Sequence, residues 1–224
     1  MENLPPVILA STSPRRSELL ASMEIEFEIV PSHAEEVMEA SDFIPDLCEA
    51  NARTKAEPIA ELHPECLVIA ADTIVYLEDE LLGKPTHIDE AGRMLAKLQG
   101  RTHQVSTGVS LIYHNDEINK TFSVITNVTF LPLSKEQIDE YLAGIDPLDK
   151  AGGYAIQQDK HKIIKRVSGS VSNVVGLPVE RLKEELNHLF SEKSRSSGEL
   201  GRRVLNLSAA FMSNLSLGVR PTGD

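Results

Sequence analysis

Two adjacent arginines stand where a helix is expected to begin. In the sequence LASTSPRRSELL, Ser13 has the chemistry of an N-cap and Pro14 suits the first helical position, so Arg15 and Arg16 fall in the first turn. The partial positive charge of a helix N-terminus disfavours each cation there by about 0.3–1 kcal/mol. Two interpretations remain open: a solvated first turn, or a turn at which backbone N–H groups and both guanidinium groups bind a phosphate.

Three further motifs hold residues that suit the same chemistry. Asp72 follows the apolar run CLVIAA, which predicts a buried strand that ends at this aspartate, where open α/β sheets bind ligands. Lys84 precedes Pro85 and is therefore expected in extended backbone. The segment DKAGGYAIQ at 149–157 joins two charged residues to two glycines, as ligand-binding loops often do. Each motif is also compatible with an ordinary turn.

The charge balance excludes a general nucleic-acid-binding surface. The 224 residues include 22 basic and 34 acidic side chains, which give a net charge of −12, whereas nucleic-acid-binding domains present a basic face. Six Phe, four Tyr and no Trp are too few and too scattered to stack bases. A protein this acidic that acts on a polyanion must therefore concentrate its cations locally or recruit metal ions.

Neither a membrane segment nor a zinc site is expected. No apolar run approaches the roughly 18 residues that span a bilayer, and the start MENLPPVILA lacks the basic region of a signal peptide. We therefore expect a cytoplasmic protein with no membrane partner. Cys48 and Cys66 lack a metal-binding spacing and the seven histidines form no HExxH motif, so both thiols are expected to be reduced.

The order of the elements predicts an α/β protein. Strands and helices alternate in the first half and antiparallel hairpins follow, which indicates a mixed sheet flanked by helices. Pro58 is expected to kink or break its helix near Glu57, and Ser134 with Gln137 forms a capping box. The expected strands are 7–10, 26–30, 66–71, 74–76, 81–82, 104–113, 120–131 and 162–167. The first expected helix begins at Ser13, and the other four span 45–62, 89–98, 134–144 and 178–190.

Residues 191–224 differ in composition from the rest of the chain. They contain five basic and three acidic residues, so this segment carries +2 and residues 1–190 carry −14. Serine and glycine are frequent in it, as in disordered extensions. We therefore divide the chain into a domain at 1–190 and a peripheral C-terminal extension at 191–224.

The motifs taken in order resemble one protein family. SxSPRRxELL is followed by an acidic pair, a helical lysine, ADT, GKP, DKAGxYxIQ and SNVVGLP. With these motifs the chain resembles the Maf family of nucleoside triphosphate pyrophosphatases over residues 7–190. Ala70 and Ala155 stand where the family usually has glycine, and no charged site residue is lost.

The resemblance implies a two-lobed mixed sheet, related to inosine-triphosphate pyrophosphatases, with a deep cleft between the lobes. It implies hydrolysis of a nucleoside triphosphate to the monophosphate and pyrophosphate, with a divalent cation, Mg²⁺ or Mn²⁺, as cofactor. Asp72 matches the catalytic acidic residue, which accepts a proton or binds the metal, and Glu35 matches a second metal-binding acid. The residues implied in substrate binding are Ser11, Arg15, Arg16, Lys55, Thr73, Lys84 and Gln157, with the arginines and lysines at the phosphates and Thr73 and Gln157 at the base.

Two motifs favour the branch of the family that acts on dTTP and UTP. The triplet ADT at 71–73 and the pattern YxIQ at 154–157 match that branch, whereas the branch that cleaves 7-methyl-GTP typically has SDQ. The amide of Gln157 has both a donor and an acceptor and suits the O4/N3–H edge that uracil and thymine share. The expected role is pool-sanitising hydrolysis of dTTP and UTP, with modified pyrimidine triphosphates as further candidate substrates and a homodimer as a candidate assembly. The alternatives are 7-methyl-GTP cleavage and a non-catalytic nucleotide-binding regulator of cell division.

Overall fold

The computed structural model describes residues 4–35, 43–157 and 160–190. Contacts divide the chain into two compact units, Met1–Lys183 and Glu184–Asp224. The sheet belongs to the first unit, and of the second unit the structure describes residues 184–190, which are helical. The predicted C-terminal extension at 191–224 lies outside the described residues. Among the described helices, none is long and apolar enough to cross a membrane.

Seven strands form one mixed sheet in the described part of the chain. They are β1 (Val7–Leu9), β2 (Glu28–Ile29), β3 (Leu67–Leu77), β4 (Glu80–Leu82), β5 (Thr102–Tyr113), β6 (Ile118–Phe130) and β7 (Ile164–Ser168). The order across the sheet is β2-β1-β3-β5-β6-β7, with β4 also paired to β3. β1 is parallel to β2 and β3, and the other pairs are antiparallel. The predicted mixed α/β architecture is confirmed.

Helical segments connect these strands or precede or follow them in the chain. They are α1 (Pro14–Ala21), α2 (Ile44–Leu62), α3 (Ile88–Leu98), α4 (Lys135–Ala143), α5 (Lys160–Ile163), α6 (Val171–Val175) and α7 (residues 179–190). The capping box predicted for α4 is confirmed. The Ser134 hydroxyl accepts from the Gln137 backbone N–H, and the Gln137 side chain accepts from the Ser134 N–H at 2.8 Å.

Most predicted strands are confirmed with shifted ends. The long hairpin is present as β5 and β6, joined by a short turn in which Glu117 has a φ of 55°. The strand predicted at 26–30 is reduced to the two residues of β2, and the strand predicted at 162–167 begins as α5 before it becomes β7.

The prediction that a strand ends at Asp72 is wrong. β3 continues to Leu77 and includes Ile74–Tyr76, which the sequence indicated as a separate strand. β5 pairs with β3 on both sides of Asp72, so the hydrogen bonds on that edge are not interrupted there. On the opposite edge, β1 pairs only as far as Ile69 and β4 begins to pair at Val75. Asp72 therefore lies beside a gap between two shorter strands.

Of the two outcomes expected at Pro58, a kink or a break, the break is wrong. α2 continues to Leu62 with Pro58 inside it. Because proline lacks an N–H group, the helix loses one backbone hydrogen bond at this point. Burial of Ala56, Ile59 and Ala60 in a cluster with residues of β1 and β3 holds the last turns in place.

Two hydrophobic clusters lie toward opposite ends of the longest strands. The first contains Ile8, Val68 and residues from the second half of α2. The second contains Val75, Val105 and residues of α3 and α4. β3 contributes to both clusters, and Asp72 lies between its two contributions. The predicted two-lobed arrangement is thus present, with the catalytic candidate at the boundary between the lobes.

Helix α2 packs on the sheet at a glycine. Gly108 of β5 is the strand partner of Asp72. A Cβ atom at Gly108 would lie 2.3 Å from the carbonyl carbon of Cys48 and 2.5 Å from the backbone nitrogen of Glu49, both in α2. The helix backbone therefore rests directly on the strand, and this contact brings two α2 side chains within reach of Asp72.

We expect Gly108→Ala to lower the free energy of unfolding by about 1–3 kcal/mol or more, because the added methyl group overlaps the α2 backbone. The matched control is Gly92→Ala in α3, where the nearest atom to the added Cβ is Leu142 Cδ1 at 3.8 Å. Replacement of this helical glycine should stabilise the protein by about 0.5–1 kcal/mol. Urea unfolding followed by circular dichroism measures both changes. Equal midpoints for Gly108→Ala and the wild type would contradict the direct contact.

Candidate active site

A pocket of about 350 Å³ is lined by the middle of β3. Its other walls come from the start of α1 and the segment before it, from the loop at 149–157 and from α6. The residues implied in catalysis and substrate binding all line it: Ser11, Arg15, Arg16, Lys55, Asp72, Thr73, Lys84 and Gln157. Glu35 does not line the pocket. It is exposed, although its neighbours Ser32 and Ala34 are lining residues.

Two donors from α2 hold the carboxylate of Asp72. Only 4% of Asp72 is exposed. Lys55 Nζ lies 2.7 Å from Oδ1, and Asn51 Nδ2 lies 3.0 Å from Oδ2. Asn51 and Lys55 are one helical turn apart and so project from the same face of α2. The ion pair offsets the cost of burying the charge, and bonds to both oxygen atoms fix the orientation of the carboxylate.

Arg15 pairs with the loop that follows α4. Its Nη1 lies 2.5 Å from Asp149 Oδ2, and its Nη2 donates to the Asp149 carbonyl oxygen at 3.1 Å. Partial burial raises the pKa of Asp149, but hydrogen bonds from Lys150 and Arg15 outweigh that effect and leave the pKa below its ordinary value. The Asp149 side chain is 51% exposed. Because an ion pair this exposed is weak, a phosphate group can compete with Asp149 for Arg15.

Arg16 joins three parts of the pocket wall. Its Nε donates to the Gly176 carbonyl oxygen at 3.0 Å, its Nη1 to Ser11 Oγ at 3.3 Å and its Nη2 to Thr73 Oγ1 at 3.2 Å. These bonds connect α1 to β3 and to the residue that ends α6. Ser13 lies at the predicted N-cap, but its side chain makes no capping hydrogen bond. That side chain therefore does not compete with a ligand for the N–H groups of the first turn.

Two buried tyrosines anchor the loop that carries Gln157. Tyr141 Oη accepts from the Ala155 N–H at 3.0 Å and donates to the Ala155 carbonyl oxygen at 3.2 Å. The Tyr154 ring meets His103 edge to face, and its hydroxyl lies 2.8 Å from His103 Nε2. Ala155 is not among the residues with positive φ, so an alanine in place of the family's glycine causes no backbone strain.

Three residues that bond to site residues were not among those that the sequence indicated: Asn51, Asp149 and Thr107. Asn51 could have been found from its spacing to Lys55, since positions four apart share a helix face. Asp149 stands in a motif that the sequence analysis selected, but its pairing with α1 joins distant parts of the chain. Thr107 is the strand partner of Thr73, and no local pattern indicates that pairing.

The oxygen donors of the pocket suit a divalent cation. Asp72 offers a carboxylate that lines the pocket, and Mg²⁺ in nucleotide-binding sites typically takes one or two carboxylates, waters and phosphate oxygens. A separate group, His63, Glu65 and Cys66, brings three potential ligand atoms within 4.8 Å of one another. None of these three residues lines the pocket.

Comparisons with known proteins identify the family of the chain. The family model described as "Maf-like protein" matches residues 6–189. The chain belongs to the Maf family. The dTTP/UTP pyrophosphatase of Akkermansia muciniphila is 46% identical to this Maf protein over 186 residues, which cover 83% of this chain and 97% of that relative. The enzyme of the same name from Bacillus cytotoxicus is 44% identical over 189 residues, covering 84% of this chain and 98% of the relative.

The predicted family membership is therefore confirmed for this Maf protein. The matched region contains every pocket residue named above. Among solved structures, that of the Staphylococcus aureus Ham1 protein has a TM-score of 0.42 and 17% identity, over 56% of this chain and 71% of that chain.

The buried histidine behind the loop makes the stability of this Maf protein depend on pH. Burial lowers the pKa of His103 from 6.5 to about 4. The unfolded chain therefore binds a proton at this residue below about pH 6.5 that the folded protein binds only near pH 4. The contribution of His103 should be constant above pH 6.5 and fall by about 2–3 kcal/mol as the pH drops toward 4.

Urea unfolding near pH 7 and near pH 4.5 measures this dependence. His103→Phe removes the titrating group and should lose a corresponding part of the pH dependence, whereas carboxylates elsewhere titrate equally in both proteins. An identical pH dependence in the variant and the wild type would show that His103 is not responsible.

Proposed function

We propose that this Maf protein hydrolyses dTTP and UTP to the nucleoside monophosphate and pyrophosphate. The observation that carries the proposal is the position of the Asp72 carboxylate, which lines one pocket together with Arg15, Arg16, Lys55 and Lys84. In a chain with a net charge of −12, such a concentration of cations suits a polyanionic ligand such as a triphosphate. The printed names of the relatives, dTTP/UTP pyrophosphatase, support the same substrates.

The reaction proposed is attack of water on the α-phosphorus. The water oxygen forms a bond to phosphorus, the bond from the α-phosphorus to the bridging oxygen breaks, and that oxygen leaves with pyrophosphate. Arg15, Arg16 and Lys84 stabilise the charge on the phosphoryl oxygens and on the leaving group. The oriented carboxylate of Asp72 accepts the proton that the water loses.

We propose that Asp72 and Glu35 hold the divalent cation, Mg²⁺ or Mn²⁺. When bound, such a cation neutralises phosphate charge and lowers the pKa of a coordinated water. The presence of Asp72 in the pocket lining supports the first ligand, and the position of Glu35 beside the lining residue Ala34 supports the second.

The base is proposed to lie near Gln157 and Thr73. Gln157 is an exposed pocket residue at the end of a loop that Tyr141 and Tyr154 anchor. Its amide suits the O4/N3–H edge of uracil and thymine, and cytosine presents the opposite polarity at those atoms.

The free thiols of Cys48 and Cys66 suit the reducing cytoplasm, where we place the reaction.

A nucleotide panel tests the proposal. The full chain is incubated with Mg²⁺ and separately with dTTP, UTP, CTP, dCTP and 7-methyl-GTP, and pyrophosphate and orthophosphate are measured independently. We expect pyrophosphate from dTTP and UTP, at least about a hundredfold less from CTP and dCTP, and loss of turnover when EDTA removes the cation. Fastest release from 7-methyl-GTP would assign the protein to the other branch. Nucleotide binding without release of pyrophosphate would identify a non-catalytic regulator.

The same assay tests the arginine at the start of α1. Arg15→Ala should lower kcat/KM by about a hundredfold or more, the scale for loss of one preorganised donor. The matched control is Arg101→Ala, which removes an arginine whose ion pair with Glu78 is exposed and outside the pocket. Near-normal turnover by the Arg15 variant would favour the solvated first turn.

A further inference from the structure

A chain of hydrogen bonds links the pocket residue Thr73 to the backbone of α6. Thr107 is fully buried in β5. Its hydroxyl oxygen lies 3.0 Å from the carbonyl oxygen of Asn173 and 3.0 Å from the hydroxyl oxygen of Thr73. Thr73 is partly exposed and lines the pocket. One buried hydroxyl therefore stands between a carbonyl group and a ligand-facing hydroxyl.

The number of hydroxyl protons determines which group donates in each of these two hydrogen bonds. A carbonyl oxygen only accepts, and a threonine hydroxyl has one proton to donate. If Thr107 donated to Thr73, its oxygen would face the Asn173 carbonyl oxygen at 3.0 Å with no proton between them. If Thr107 donates to Asn173, Thr73 can donate to Thr107 and both hydrogen bonds form. Since an unmade bond between buried polar groups is costly, the second arrangement is the stable one.

This direction commits the only proton of the Thr73 hydroxyl to the protein interior. Arg16 Nη2 donates to the same oxygen at 3.2 Å, and a guanidinium group has no acceptor. Toward the pocket the Thr73 oxygen therefore presents a lone pair and no proton. A ligand group that bonds to it must be an N–H or O–H donor.

We propose that Thr107 is a positioning residue that holds Thr73 as an obligate hydrogen-bond acceptor, so that the pocket selects nucleotides with a donor on the nucleoside moiety at this point. The inference deepens the proposed function and rests on it. In the proposed substrates two groups have this chemistry: the 3′-hydroxyl of the sugar, and the N3–H of uracil or thymine, whose one proton would then bond to Thr73 in place of the Gln157 carbonyl oxygen. The 2′-hydroxyl is not one of them, because dTTP lacks it.

Wild-type protein distinguishes the two sources. kcat/KM for pyrophosphate release is measured with UTP, with N3-methyl-UTP and with 3′-deoxy-UTP. The analogue that lacks the donor facing Thr73 should react at least about tenfold more slowly than UTP, because the Thr73 oxygen is then left without its partner. Equal rates for all three nucleotides would overturn the inference while the proposed function stands. Absence of pyrophosphate from UTP itself would instead overturn the proposed function.

Variants then test the role of Thr107. Thr107→Val frees the Thr73 proton to turn toward the pocket. The ratio of kcat/KM for UTP to kcat/KM for the analogue that lacks the donor should therefore fall about tenfold. Thr107→Ser retains the hydroxyl and should restore the wild-type ratio. The matched control is Ser110→Ala, which removes another fully buried hydroxyl of β5 at a residue that does not line the pocket; its ratio should be unchanged.

The ratio of the two kcat/KM values separates the hydrogen-bonding role of Thr73 from other effects of the substitution. A merely structural role for Thr107 would lower both rates together, and a steric effect of the N3-methyl group would persist in Thr107→Val, so an unchanged ratio in that variant contradicts the proposal. If Thr107→Val does not fold, the same kcat/KM ratio is compared between Thr107→Ser and the wild type. Loss of selectivity in Thr107→Ser would also contradict the proposal.

Discussion

Helix α2 rests on β5 where only a glycine fits, and the geometry of the pocket depends on that contact. Gly108 is paired with Asp72 across the strands, and the backbone of α2 occupies the space that any side chain at Gly108 would need. The helix is thereby close enough for Lys55 and Asn51 to bond to both oxygens of the carboxylate. A charge that would be costly to bury alone is therefore kept in place, oriented and lining the pocket.

The sheet provides the opening for the ligand. β3 is continuous and belongs to the cores of both lobes, but the strands on one of its edges stop and restart around Asp72. Arg16 connects α1, β3 and the end of α6 across this region, and Arg15 pairs with Asp149 in the loop that leads to Gln157. Catalytic, phosphate-binding and base-binding candidates are thus positioned by different elements that meet at one break in the strand pairing.

Sequence patterns predicted most of the secondary-structure elements but few of the contacts between them. The capping box at Ser134 was recognisable because all of its atoms lie within one helical turn. The end assigned to the strand at Asp72 was wrong because a polar residue interrupts an apolar run without interrupting the backbone pairing to β5. The helix is not broken at Pro58 because its last turns are buried against the sheet, a tertiary effect that the local sequence does not show. Motif order identified Arg15, Arg16, Lys55, Asp72 and Lys84 but not Asp149. Thr107 acts through partners 34 and 66 residues away, which no local pattern shows.

Turnover of UTP by Asp72→Asn tests most directly the claim that this held carboxylate is the catalytic group. The substitution preserves the size of the side chain and an acceptor for Lys55 but removes the charge and the capacity to take a proton from water. Some loss of stability is expected because the charge of Lys55 is then uncompensated, so the rate is measured where circular dichroism shows the variant folded. The account predicts a fall in kcat of at least about a thousandfold. A folded Asp72→Asn variant with a kcat near that of the wild type would contradict it.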